Sequence, residues 1–353
     1  MSATVELLEL QPEPFESLED DWRRLGELSG NVFSTWEWAT VWWRHFGDGR
    51  RPLTATLRGD AGEAVAILPL YLGFERPVRV ARFIGHGAGD ELGPVCAPGD
   101  DSAEAALPGT AKQLGWDVLL ADRLTGEGHA ERLGGRLLRR DASPVVDFPD
   151  GGWDEYLATR SSNFRGQVRR KERKLEREHG LTYRLSEDPE RLPADLATLF
   201  ELHEARWAGE SSGALAGARV AFHNEFAAVA QERGWLRLWL AEIEGRAVAA
   251  WYGFRFGGAD WYYQFGRDPD WDKSSVGLVL LAHTLRDAVE SGQRQYRLLR
   301  GGEGYKDRFA TSDPGLESVA LGRGVRGRLA VGAAATGLAL PEPLRRRLTR
   351  AVG

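Results

Sequence analysis

Between residues 236 and 299 the chain carries a pattern that few folds can accommodate. Residues 236–243 alternate as a half-buried strand does, Glu244-Gly245 turns, residues 247–256 return, Gly257-Gly258 turns again, and residues 260–265 run a third time. The period then changes. Over 274–290, Leu278, Leu281, Ala282, Leu285 and Val289 recur at helical spacing, Gly292 ends the helix, and 296–299 read as a further strand. An antiparallel meander followed by strand–helix–strand needs a mixed sheet with helices packed on its faces, so the expected class is α/β with a mixed (α+β) sheet.

The flanking segments extend this plan. A long charged helix is expected over 161–179, started by Ser161 or Ser162 and ended at Gly180, followed by a strand over 181–185. An amphipathic helix over 192–207 carries Leu196, Leu199, Phe200 and His203, and a helix over 220–233 stops at Gly234. The first half reads as helices over 15–28 and 36–46, strands over 53–58 and 64–71 around Arg58-Gly-Asp-Ala-Gly62, and a strand over 80–84. A loop from His86 to Gly93, a helix over 103–114 and a strand over 116–121 follow. The later strand–turn–strand recurs weakly in 53–71, as a duplicated architecture would. Breakers at Asp141-Ala-Ser-Pro144 and Pro149-Asp-Gly-Gly152 place a boundary near 148. The expected organisation is a first domain over 1–148, a second over 149–320, and a basic, helical tail over 321–353; a chain of 353 residues suits two domains.

Composition narrows the function. The net charge of −6 argues against a general nucleic-acid binder, so an RNA partner needs a local patch. A single cysteine, Cys96, rules out an intramolecular disulfide and a multi-cysteine zinc site, and fits a reduced cytoplasm. The N-terminus lacks a basic stretch and an apolar run, so no signal peptide is expected. Leu329–Leu340 is too short for a transmembrane helix, so no membrane insertion is expected either. The 13 tryptophans are expected chiefly in cores.

Several motifs stand out. Ala241-Glu-Ile-Glu-Gly-Arg-Ala-Val-Ala249 forms a strand–turn–strand, Phe265-Gly-Arg-Asp268 precedes Ser274-Ser-Val-Gly277 at a helix start, and Gly301-Gly-Glu-Gly-Tyr-Lys-Asp-Arg-Phe309 follows the last strand. Ser161-Ser-Asn-Phe-Arg-Gly-Gln-Val-Arg-Arg170, Phe33-Ser-Thr-Trp-Glu-Trp38 and Leu68-Pro-Leu70 complete the set. On these residues the chain, to about residue 320, resembles the GNAT acyltransferase superfamily. The likeness is to its double-domain branch of Fem-type peptidyltransferases and bacterial acetyltransferase-like proteins linked to polysaccharide biosynthesis. The resemblance implies two tandem GNAT-like acyltransferase domains, the first degenerate and the second catalytic.

It also implies site residues. In the family a turn before a helix offers backbone N–H groups to the pyrophosphate of acyl-coenzyme A, which matches Lys273, Ser274, Ser275, Val276 and Gly277; this turn keeps Gly277 and Lys273 but not the usual run of glycines. An N-cap by Ser274 or Ser275 accounts for the same residues without a ligand. Tyr305 stands where the superfamily's general acid stands, and Lys306 matches a lysine that stabilises an anionic intermediate or holds a phosphate. Glu303 or His203 is the expected base, and the alternatives are a solvated turn for Glu303 and a packed core histidine for His203. Trp207 lies four residues from His203 on the same helix face, and Arg206, Tyr263, Gln264 and the loop residue Asp90 are the further candidates for acceptor binding. No metal site is expected, because His86, Asp90 and Glu91 lack a convincing set of metal partners.

The expected activity is transfer of an acyl group, acetyl in the first instance, from acetyl-CoA or another acyl-CoA to an amine or hydroxyl of a small metabolite or sugar. A Fem-type ligase using aminoacyl-tRNA is the alternative. It would employ the basic run Arg165, Arg169, Arg170, Lys171, Arg173, Lys174 and Arg177. A degenerate GNAT-like binding module is the third.

Overall fold

The structure, a computed structural model, describes residues 9–75, 78–206 and 217–338. The strands are β1 (Glu9–Pro12), β2 (Arg51–Arg58), β3 (Ala64–Glu75), β4 (Val78–Phe83), β5 (Val95–Cys96), β6 (Val118–Thr125), β7 (Arg136–Asp141), β8 (Val145–Asp147), β9 (Thr182–Leu185), β10 (Leu236–Ile243), β11 (Arg246–Phe256), β12 (Ala259–Arg267), β13 (Gln295–Arg297) and β14 (Leu316–Gly322). The helices are α1 (Glu19–Ser29), α2 (Trp36–Phe46), α3 (Asp101–Ala106), α4 (Thr110–Leu114), α5 (His129–Arg132), α6 (Gly152–Ala158), α7 (Ser162–His179), α8 (Leu192–Arg206), α9 (Ala218–Glu232), α10 (Val276–Glu290) and α11 (Gly324–Leu338). None is long and apolar enough to cross a membrane.

Two compact units result: residues 1–141 with 315–353, and residues 142–314. This division differs from the expected breaks at 148, read from breaker residues, and at 320, where the resemblance ends. Strand β14 pairs antiparallel with both β6 and β7 in the first sheet, while β8 pairs with β13 in the second. Hydrogen bonds between segments far apart in the chain decide membership, and turn residues do not report them. The tail is helical over Gly324–Leu338, and Val331 is buried in a cluster with Val80, Val118 and Ala320.

The first sheet runs β1-β2-β3-β4-β6-β14-β7, with β5 beside β3, and the second runs β8-β13-β12-β11-β10-β9. Each contains a meander followed by one parallel pair, β4 with β6 and β12 with β13. The weak repeat seen in sequence is thus a repeat of topology. In the first unit the helix expected over 103–114 is split, because Pro108 starts a tighter turn at Leu107–Gly109.

In the second unit, α6, α7 and α10 cover one sheet face and bury Trp251, Tyr262, Phe265, Leu281, Leu285 and Tyr296 in one core. Helix α7 starts where expected: the Ser161 side chain accepts from the Phe164 N–H, and Gly180 closes the helix in the left-handed conformation that glycine adopts without strain. Helix α8 packs on β12 and β11 across the other face. Its approach depends on Gly266, where an added Cβ would lie 2.5 Å from the His203 nitrogen and 2.6 Å from the Leu202 carbonyl carbon. Gly266→Ala therefore forces α8 off β12. Urea unfolding should show a loss of about 1–3 kcal/mol, typical of overpacking; an unchanged midpoint would mean that α8 is not seated as described.

Candidate functional site

Strands β12 and β13 are joined in register at only three positions, Ala259–Gln295, Asp260–Tyr296 and Trp261–Arg297. Beyond them β12 continues to Arg267, whereas the chain after β13 turns at Leu299, a non-glycine residue at φ 55°. The gap between them is where side chains of the second unit gather.

Lys306 lies here with 2% of its surface exposed. Its Nζ donates to the carbonyls of Leu299 at 3.4 Å and Arg300 at 3.1 Å, pairs with Glu303 Oε2 at 2.9 Å, and stands 5.9 Å from the centre of the Tyr262 ring. The left-handed turn at Leu299 brings the two successive carbonyls to one amine. Gly301 permits Glu303 to fold back, since a Cβ there would lie 2.3 Å from Glu303 Oε2. A buried amine held by carbonyls and a carboxylate is satisfied and oriented before any ligand arrives.

The hydroxyls of Tyr305 and Tyr262 are 3.1 Å apart. Burial raises the Tyr305 phenol above its ordinary range, against the opposing hydrogen bonds from Tyr262 and Arg206. Tyr262 is raised further, again chiefly by burial. Both are protonated at neutral pH, so Tyr305 has a proton to give. Arg206, at the end of α8, donates to the Phe265 carbonyl at 3.3 Å and lies 5.4 Å from the Phe265 ring centre.

A β-bulge arranges these groups. Tyr252 stands opposite Gln264 and Gly253 opposite Tyr262, which leaves Tyr263 as the extra residue. Tyr262 and Phe265 consequently stack on the α10 side, with ring centres 6.4 Å apart. Tyr263 and Gln264 serve the other side: the Tyr263 hydroxyl is 3.5 Å from His223 Nε2, and Gln264 hydrogen-bonds His203. His203 is buried and held below the ordinary histidine range by burial first and by the Arg206 charge second, so it is neutral.

The Lys273–Gly277 segment forms the start of α10. A tight turn over Pro269–Ser274 leads to Ser275 in the left-handed conformation, and no side chain caps the helix. The N-cap expected of Ser274 or Ser275 is therefore only positional. Lys171 Nζ donates to the Lys273 carbonyl at 2.9 Å, which brings a second cation to the turn. Gly277 packs against Phe265, where a Cβ would lie 3.0 Å from the ring. First-turn N–H groups without an intrahelical partner, with two lysines beside them, suit an anionic group.

The structure thus brings Tyr305, Lys306, Glu303 and Arg206 together and connects them through Tyr262 and Phe265 to Lys273, Ser274, Ser275, Val276 and Gly277. His203, Tyr263 and Gln264 form a second group on the α8 side. Asp90 belongs to the first unit, where Arg123 holds it at 3.1 Å. Trp207 lies outside the described residues. Tyr262 and His223 went unnoticed in sequence, and Phe265 stood out only as the start of the Phe265–Asp268 motif, because in a regularly alternating strand nothing announces the bulge that arranges them. Two depressions of about 620 and 480 Å³ flank α8, and neither is lined by Tyr305, Lys306 or Tyr262.

Two buried histidines give the unit a pH signature. Burial lowers His223 from 6.5 to about 3 and His283 from 6.5 to about 4. The unfolded chain then binds more protons than the folded one between these values and 6.5, so stability is full above that range and falls as the pH drops through it. Each histidine contributes about 2 kcal/mol of loss between pH 7 and pH 5. Urea unfolding at the two pH values should show His223→Phe removing its share of the difference; an equal pH dependence in the variant would contradict the burial.

Residues 162–307 match the acetyltransferase (GNAT) domain family. No curated protein matches the chain. Among solved structures it resembles FemX, with a TM-score of 0.63 and 14% identity over 88% of this chain and 97% of that one. It also resembles L-PGS from Bacillus licheniformis, with a TM-score of 0.55 and 14% identity over 93% and 97%. At such identities these structures speak for the fold alone. Residues 162–307 thus match the acetyltransferase (GNAT) domain family, and the chain as a whole has the double-domain GNAT/Fem-like fold.

Proposed function

We propose that this chain transfers an acyl group, acetyl in the simplest case, from a coenzyme A thioester to an amine or hydroxyl of a small metabolite or sugar. The observation that carries this reading is the continuous wall Gly277–Phe265–Tyr262–Tyr305, which joins an uncapped helix start to a phenol and a buried amine. The first-turn N–H groups of α10, with Lys273 and Lys171, hold the donor's diphosphate. Lys306, fixed by three oxygens, stabilises negative charge that develops on the acyl oxygen. Tyr305 supplies the proton needed by the departing sulfur as the carbon–sulfur bond breaks and the acceptor's nitrogen or oxygen bonds the acyl carbon. Glu303, exposed beside Lys306, takes the acceptor's proton. His203 is the second candidate base: it is neutral but lies on the opposite side of β12. Arg206, Tyr263 and Gln264 orient the acceptor in this reading.

A second reading, aminoacyl transfer from tRNA, is favoured by the outer face of α7. Arg170 and Arg173 are exposed there without an ion pair among the described residues, beside Arg169, which pairs with Asp154. Such a surface suits a phosphate backbone.

Thermal-shift titration separates the readings. Coenzyme A and acetyl-CoA should raise the melting temperature saturably, since each binds only the folded chain. Stabilisation by aminoacyl-tRNA alone, weakening steeply with salt, would move the donor to tRNA. In a thiol-release assay, Lys306→Met should cost about 100-fold or more and Tyr305→Phe about 100-fold in kcat, with the acetyl-CoA shift retained. Turnover unaffected by both variants would remove the assigned roles. A wild-type chain with no turnover, whose partner binding these variants alter, would favour a binding module.

A further inference from the structure

The strand order β1-β2-β3-β4-β6-β14 of the first unit corresponds place for place to β9-β10-β11-β12-β13-β8 of the second. The parallel pairs match as well: Val80, Ala81 and Arg82 face Val118, Leu119 and Leu120, as Ala259, Asp260 and Trp261 face Gln295, Tyr296 and Arg297. Just past each pair a non-glycine residue adopts left-handed backbone, Leu299 at φ 55° and Arg123 at φ 61°. Strain of this kind survives where the surroundings enforce it, and it gathers at functional sites. Ligands of open α/β sheets bind beyond the carboxyl ends of parallel strands.

At that end of the first unit, His86 Nδ1 lies 3.1 Å from Asp122 Oδ2, and Arg82 Nη1 lies 3.4 Å from the same oxygen. The Trp42 indole donates to the His86 carbonyl at 3.0 Å and anchors the loop. His86 keeps 36% of its side chain exposed and Asp122 only 19%, so the ring is reachable and its partner is sheltered. Burial works to raise the Asp122 carboxyl, but the hydrogen bond from His86 and the charges of His86, Arg82 and Arg123 outweigh it and hold it below the ordinary range. When the His86 ring carries a single proton, Asp122 fixes it on Nδ1 as a hydrogen bond, which leaves Nε2 as an oriented acceptor. Tyr71, opposite Arg82 on the neighbouring strand, lies against Trp42 with ring centres 5.2 Å apart, and the Arg50 guanidinium lies 5.6 Å from its ring centre.

We propose that the carboxyl end of the β4–β6 pair is a second ligand site, in which His86 Nε2 accepts a hydrogen bond from a hydroxyl or amine of a small anionic metabolite while Arg50 and Arg82 face its negative charge. The site belongs to the first unit alone and stands or falls independently of acyl transfer in the second. An ion pair kept only for stability would need no imidazole with 36% of its side chain exposed beside a sheltered carboxylate.

The test is a proton–nitrogen correlation spectrum of the histidine rings in the full chain, with His86 assigned by His86→Gln. Phosphoethanolamine, ethanolamine and inorganic phosphate are titrated in turn. The free ring should be the Nδ1–H tautomer. Phosphoethanolamine should shift its Nε2 resonance saturably, each half-molecule should bind at least about tenfold more weakly, and Asp122→Asn should raise the half-saturation concentration by about tenfold. A ring that responds to none of the probes, a response to phosphate as strong as to phosphoethanolamine, or an Asp122→Asn variant that binds equally well would overturn the proposal. The wild-type titration decides even where Asp122→Asn fails to fold.

Discussion

The short pairing of β12 with β13 is the constraint on which the second unit turns. Three residues of each strand share a register, and then the strands part. A sheet that stays closed leaves no backbone carbonyl for an amine. Here the chain after β13 turns at Leu299, and two successive carbonyls meet Lys306 Nζ. The amine is thereby buried without being stranded, which would otherwise cost several kcal/mol. On the opposite rim, the bulge at Tyr263 sends Tyr262 and Phe265 to the Lys306 side and Tyr263 and Gln264 to the α8 side. One irregularity in each strand therefore assembles the site.

Much of this was legible in the sequence where the signal is local. The meander, the charged helix with its Ser161 cap and Gly180 end, and the helix carrying Leu278, Leu281 and Leu285 follow from periods and from cap chemistry that neighbouring residues decide. The motif holding Glu303, Tyr305 and Lys306 was visible because glycines, an acid, a phenol and an amine crowd into nine residues. Its attachment to Arg206 was not, since a fold contact across 100 residues leaves no local trace. Strands β7 and β14 escaped for different reasons. Arg136–Asp141 is too rich in arginine to show an apolar face, and Leu316–Gly322 is buried on both faces and so does not alternate. Missing β14 carried the expected second domain to residue 320, six residues past the observed edge at Pro314.

The repeat of topology changes how the first unit is viewed. The family resemblance implies a degenerate copy. It nevertheless keeps a strained residue just past its parallel pair and a histidine–aspartate pair at the same end of the sheet. Divergence after duplication would be expected to preserve the scaffold and rewrite the side chains at the strand ends, because the core resists change in volume and the loops do not.

In the proposed reaction one continuous wall joins the α10 start to Tyr305 and Lys306, and a single donor spans both. A crystal structure of the chain with coenzyme A would show whether one donor reaches both ends. The diphosphate is expected on the first-turn N–H groups of α10 and the sulfur at Tyr305, with Phe265 and Tyr262 alongside the connecting arm. A diphosphate bound elsewhere, or a sulfur pointing away from Tyr305 and Lys306, would contradict it.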